Sequence, residues 1–209
     1  MHKIENNDYL KLFIKNRTYS EINKTYEKAW EAKNFEITNY WKRTTYFWAF
    51  QVASFTGVFA LKNSQDWDLF YLVLSVGFIT ALGWHLVNIG SKEWQNNWEQ
   101  HVEILEDYIT GPLYKIVFMD NTFSVSRINS NISLCITVFW IISHIYFLLK
   151  INLIQKILLL YRCHIYINNL FIIIIMLCNI IFSLVMLTCK SELDIQESFY
   201  ICSRSNIKK

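Results

Sequence analysis

The sequence predicts an all-α integral membrane protein: four transmembrane helices, with a long cytoplasmic αα-hairpin continuous with helices 1 and 2. Three observations predict it. Four apolar stretches, Tyr46–Leu61, Trp67–Ile89, Ile132–Leu149 and Tyr166–Thr188, punctuate the 209 residues. Lys and Arg are spread unevenly between them: nine before the first, one in the Lys62–Asp66 turn, three in 90–131, three in 150–165 and four in the tail. The chain is 53% hydrophobic with a single proline, Pro112, so little interrupts its helices.

A hydrocarbon core takes about 20 apolar residues as a helix, with roughly 17–25 tolerated. Lipid offers backbone amides no water, so such segments span as helices. The first stretch is short and carries Gln51, but it is coupled to the second by the short turn. Basic residues favour the cytoplasmic side. That rule places the N-terminal segment, the 90–131 segment and the tail inside, with both termini cytoplasmic.

Residues 1–45 form the first cytoplasmic segment. They are heavily charged and far longer than the n-region of a secretory leader, so no leader is expected. Tyr19–Thr45 lacks Gly and Pro and is rich in Glu, Lys and Ala, which favours helix. Tyr26, Trp30, Ile37 and Trp41 recur on one broad face, interrupted by Lys33. Nothing stops this helix before the membrane, so it should enter the first span as one rod.

Residues 46–89 are the transmembrane hairpin. Tyr46, Trp48, Trp67 and Trp84, with Lys42 and Arg43, are placed to anchor it at the membrane interfaces. The second rod then continues into 90–131. Trp94, Trp98, His101, Leu105 and Tyr108 form a heptad-like stripe, with Glu99, Glu103, Glu106 and Asp107 on its other, solvated faces. Gly111-Pro112 should end this helix near Thr110. Equal rise from the turn sets Glu36 opposite Lys92 and Trp30 near Trp98, the stripes burying each other. Leu113–Phe118 reads as a short amphipathic return to the surface and Asp120–Ser126 as a loop. Ser130 or Asn131 can cap the third span. Residues 132–188 hold helices 3 and 4, with Ile151–Leu160 along the outer interface. Residues 189–209 form a polar, poorly ordered cytoplasmic tail.

Chemistry is thinly marked. The net charge of +3 is small and dispersed, which argues against nucleic acid. The five cysteines form no CxxC pair or zinc spacing, and a structural disulfide is not expected. Glu99-x-His101 puts its two side chains about 200° apart on a helix, unlike the Glu-x-x-His of di-iron bundles. No Walker loop, nucleophile elbow or dinucleotide fingerprint is present. The sequence predicts no enzyme, no catalytic residue, no metal and no cofactor. His85 and His144 fall inside predicted spans, where ionisable groups are candidates for proton relay. Histidine is also the one most easily buried neutral.

The stretches Phe35-Glu36-Ile37, Tyr40-Trp41-Lys42-Arg43-Thr44-Thr45-Tyr46-Phe47-Trp48 and Trp84-His85-Leu86-Val87-Asn88 carry a resemblance. So do Gly90-Ser91-Lys92-Glu93-Trp94-Gln95-Asn96-Asn97-Trp98-Glu99, His101-Val102, Leu105-Glu106-Asp107, Gly111-Pro112-Leu113-Tyr114-Lys115 and Phe123-Ser124-Val125-Ser126-Arg127-Ile128-Asn129. Together they are similar to RipA-type octameric membrane proteins of bacteria, over roughly residues 26–142. The resemblance fades beyond about Lys150. It implies a small inner-membrane protein assembling as a homo-oligomer, with no enzymatic activity.

The resulting expectation is a non-enzymatic, ring-like assembly or scaffold whose partners are itself and the lipid bilayer. It leaves room for a cytoplasmic protein partner. Its sharper form encloses a pore or acts as a membrane effector in stress or phage defence. The competing expectation is a small proton-linked channel or transporter built on His85 and His144.

Overall fold

A computed structural model describes residues 6–116, 123–151 and 170–189. Among these residues the fold is entirely helical, in five helices: α1 Asn6–Phe13, α2 Tyr19–Leu61, α3 Trp67–Glu106, α4 Val125–Lys150 and α5 Leu170–Thr188.

Two rods dominate. Helix α2 runs 43 residues, about 64 Å at 1.5 Å per residue. Thr18 starts it with a capping box: its hydroxyl accepts from the Glu21 N–H, and Glu21 reaches back to the Thr18 N–H. Two otherwise orphaned amides are thereby satisfied. Asp66 caps α3 by accepting from the Leu69 N–H, so the turn between the rods is short and the rods lie antiparallel. Helix α4 packs on α3 alongside α2, and α5 packs on α3 as well.

Helices α3, α4 and α5 are each long and apolar enough to cross a membrane. Helix α2 is not among them. The expected first span, Tyr46–Leu61, is short and is diluted by Gln51 and Ser54, both buried.

The cores are separate. One gathers Tyr71, Leu74, Ala81, Trp140, Phe147 and Ile172 from α3, α4 and α5. The other joins Tyr9 of α1 to Ile22, Ala29, Val102 and Leu105 at the far end of the hairpin. Helix α1 lies in the segment expected only to be charged, and it packs there because Tyr9 and Phe13 share one side.

Several local expectations are corrected. Helix α3 ends at Glu106 rather than Thr110. The Ile109, Thr110 and Gly111 N–H groups all converge on the Glu106 carbonyl, at 3.0, 2.9 and 2.9 Å. Gly111 then takes φ +72°, a left-handed turn that a residue without Cβ adopts freely. Helix α4 begins at Val125, capped by Ser124, so Ser130 and Asn131 lie inside it. Residues 113–115 form a turn and not an amphipathic helix. The outer-interface segment, residues 117–118 and the tail after Cys189 lie outside the described residues.

The hairpin register also differs. Arg43 donates to the Ser91 hydroxyl at 2.7 Å, and Trp48 meets Trp84 edge-on at 5.1 Å. Glu36 pairs with Arg43 at 3.8 Å and Lys92 with Glu99 at 3.7 Å, each within its own helix and not with each other. Trp30 lies against Tyr114 and Trp98 against His101. Equal rise from the turn holds at Gln51 and Gly77, but the rods are offset by several residues farther out, so the expected outer pairs are not neighbours.

Candidate functional site

Helix α2 is turned inside out over its second half. Tyr40, Thr44, Gln51 and Ser54 face inward and are buried. Tyr46, Trp48, Phe50, Val52 and Phe59 face outward, Phe59 with 67% of its surface exposed. A helix in lipid gains from this arrangement, because its polar groups find partners inside while its apolar groups need none outside.

The inward polar groups form a seam in three tiers. In the first, Asn129 of α4 donates to the Tyr40 hydroxyl at 2.7 Å, to Thr44 Oγ1 at 3.1 Å and to Asn88 Oδ1 at 3.3 Å. Asn88 donates in turn to Ser133 Oγ at 3.3 Å, which lies 3.1 Å from His85 Nδ1. Three helices are tied through one buried amide.

In the second tier Gln51 donates to Thr80 Oγ1 at 2.8 Å and the Gly77 carbonyl at 3.3 Å. Its Oε1 accepts from the Trp140 indole at 2.7 Å. Trp140 occupies the space beside Gly77, where an added Cβ would meet Cζ2 at 2.6 Å. The close approach at Gly77 is therefore of a tryptophan, between α3 and α4. In the third tier Asn179 of α5 donates to Ser75 Oγ at 2.8 Å, and Ser75 lies 3.4 Å from His144 Nε2.

The two candidate histidines thus sit in different tiers, each beside a serine of another helix. The Gln51–Trp140 tier lies between them. His144 also lines an open groove of about 310 Å³ among α3, α4 and α5, with Tyr71, Phe78, Met176, Asn179 and Ser183.

A second constellation lies beyond the span, where α3 ends. The Tyr9 hydroxyl and His101 Nδ1 are 2.8 Å apart. Burial pushes the Tyr9 phenol up to about 12 and lowers the His101 imidazole below its ordinary value. A protonated phenol donating to a neutral imidazole satisfies both shifts.

Glu106, read from sequence as part of a solvated acidic face, is 0% exposed. Its Oε2 accepts from the Tyr114 N–H at 2.8 Å, and Oε1 has no hydrogen-bond partner. The Tyr114 ring lies 5.3 Å from Trp30, and Lys33 Nζ stands 4.2 Å from each ring centroid. Lys33, which looked like a break in the stripe, is where the stripe holds its charge. Burial lowers its ammonium, and the nearby Glu99 and Glu106 carboxylates oppose that.

The other residues singled out from sequence divide. Leu105 is fully buried, and Tyr26 and Trp30 are packed against the α1 core. Ile37 is half-buried. Trp41, Trp94 and Tyr108 stay substantially exposed. Lys42 and Tyr46 are exposed and Arg43 is half-buried. Trp67 lies beneath Lys150 Nζ at 5.2 Å. Trp84 is corrected: it is 0% exposed behind Trp48, its indole nitrogen without a partner, and so it cannot reach headgroups. Tyr9, Asn88, Asn129, Ser133 and Tyr114 were missed as a group. Asn88, Asn129 and Tyr114 stood inside the quoted resemblance, but sequence gave no sign that they meet.

Among the described residues, no group of three or more His, Cys, Asp or Glu side chains is arranged to hold a metal ion. A model of the octameric membrane protein family (8xMP) matches residues 23–149. No curated protein and no solved structure matches the chain.

Proposed function

Because the chain belongs to the octameric membrane protein family, we propose that it works as a non-enzymatic, ring-like homo-oligomeric scaffold in the bacterial inner membrane. In this reading it crosses the bilayer four times, with both termini and the outer part of the hairpin in the cytoplasm. The finer likeness to RipA-type members belongs to the same reading.

The observation that carries it is the inverted α2. A helix whose inward face is polar and satisfied, and whose outward face is aromatic, belongs in lipid even when its average composition is too polar to identify it. The outward face also continues past the hydrocarbon. Phe35, 63% exposed, lies on α2 outside the apolar stretch, where water would surround it in a lone subunit. Packing against a neighbouring copy would remove that ring from water. Native mass spectrometry of the detergent-purified protein tests the reading: a defined oligomer supports it, and a monomer at all concentrations rejects it.

Enclosure of a pore, and a role as a membrane effector in stress or phage defence, extend the same proposal. Leakage of a trapped dye from liposomes carrying the protein would support the pore, and sealed liposomes would reject it.

The second reading, a proton-linked channel, is favoured by one observation: His85 and His144 each meet a serine across a helix boundary. It requires that His144→Leu assemble normally and lose a pH-dependent flux. The Gly77–Trp140 contact weighs against it, since an indole fills the seam between the two histidines.

A further inference from the structure

Resting on the ring-like reading, we infer that neighbouring subunits meet heterologously. The outer face of α2 in one copy packs against the outer, acidic flank of α3 in the next.

The first support is spacing. Lys28, Phe35, Lys42, Ala49 and Thr56 recur every seven residues along α2, and all are exposed. Residues seven apart share one side of a helix over several turns, so this row can meet a single partner helix. Within the span the row narrows to small residues: Ala49 and Ala53, with Ala60 one turn beyond Thr56, all exposed. Small residues let helix backbones approach closely in a bilayer. The Thr56 hydroxyl bonds back to the Val52 carbonyl at 2.9 Å, so it needs no partner from lipid.

The second support is charge at matching depth. In a ring whose axis is normal to the membrane, every residue keeps its height in the next copy. Ala29 shares a buried cluster with Val102 and Leu105, which sets Lys28 within about a turn of Glu103. The Arg43–Ser91 bond sets Lys42 within about a turn of Glu93. Glu93 and Glu103 are exposed on α3 and have no ion-pair partner among the described residues. Lys115 stands near Glu103 but is bound to Asp107 at 2.6 Å. Lys28 holds Glu31 at 2.6 Å on its own helix, and its ammonium has further donors for a carboxylate of the next copy. The basic row of one copy therefore meets acidic positions of the next at two heights. Exposed Trp94 adjoins Glu93, at the level of Lys42. A face that differs from the one it meets generates a closed ring when the rotation closes.

Five variants, four single and one double, test this by native mass spectrometry in detergent. Ala53→Trp should break the assembly, whereas Val138→Trp, on the exposed side of α4, should leave it intact. Lys28→Glu and Glu103→Lys should each lower the assembled fraction several-fold at low salt, and the double variant should restore it. Both charge changes lie on exposed surface, so they test contact without endangering the fold. If the wild type assembles but Ala53→Trp and both single charge variants assemble equally well, this interface is wrong while the oligomeric reading stands. If the charge variants weaken assembly but the double variant does not recover, the α2–α3 pairing is wrong. A wild type that never assembles removes both.

Discussion

The Trp140 indole donates to Gln51 Oε1 at 2.7 Å and fills the space that a side chain at Gly77 would need. One ring therefore closes the polar seam and fixes how near α4 lies to α3. The polarity that hides α2 from a hydropathy reading is what binds it to the other helices.

Gly77→Leu should be the most damaging single change at this contact. The new side chain would drive into Trp140, and overpacking of a tight core costs about 1–3 kcal/mol. Gln51→Leu should cost about 1 kcal/mol, the range measured for hydrogen bonds between membrane helices. Thermal unfolding in detergent followed by circular dichroism checks both. A Gly77→Leu variant as stable as wild type would contradict the close approach.

Asn129 is the hub of the first tier, tying Tyr40, Thr44 and Asn88 together. Asn129→Leu should strand Asn88 Oδ1 and loosen α2 from α4. Amide exchange in α2 near Tyr40 should quicken while exchange in the α1 core does not. Uniform quickening along the chain would indicate global destabilisation instead.

The Tyr9–His101 bond predicts a pH response at the end of the hairpin. Burial lowers the folded imidazole below its ordinary value of about 6.5, so the unfolded state binds a proton more readily. Stability from this group is then full above about 6.5 and declines as pH falls through the window down to the folded value. Protonation also turns Nδ1 into a donor and breaks the bond from Tyr9. Proteolytic cutting between α1 and α2 should rise as pH drops from neutral to about 5, and His101→Phe should abolish that rise. An unchanged pH profile in the variant would assign the response elsewhere.

Glu106 holds the Gly111–Pro112 connection to the hairpin through the Tyr114 N–H. Glu106→Ala should speed exchange of the Tyr114 amide and free the ring from Lys33. Glu106→Gln should keep the amide protected, because its carbonyl still accepts, while removing the charge near Lys33. Equal effects of the two substitutions would show that the carboxylate, and not its accepting oxygen, secures the turn.

The long rods were legible in the sequence because nothing in Tyr19–Leu61 or Trp67–Glu106 breaks a helix. The start of α2 at Tyr19 lies where composition places it, whereas α3 stops about one turn short of the Gly111-Pro112 break. The tiers were not legible. Gln51 reads as a blemish in a short span, and Asn88, Asn129 and Ser133 as scattered polar residues, because hydrogen bonds across 26 to 89 positions leave no periodic trace. Glu106 misleads for a related reason. Its neighbours Glu103 and Asp107 are exposed, and only the turn that follows, folding Tyr114 back over it, removes it from water. Helix α1 went unseen because its apolar side is short and needs His101 and Val102 to complete it.

The inverted α2 is tested most directly by single cysteines at Val52 and Ser64 in a cysteine-free background, treated with a water-soluble maleimide on intact cells. Val52 should resist labelling until detergent is added, while Ser64 in the turn should react from outside. Rapid labelling of Val52 without detergent would place its outward face in water and contradict a membrane-embedded α2.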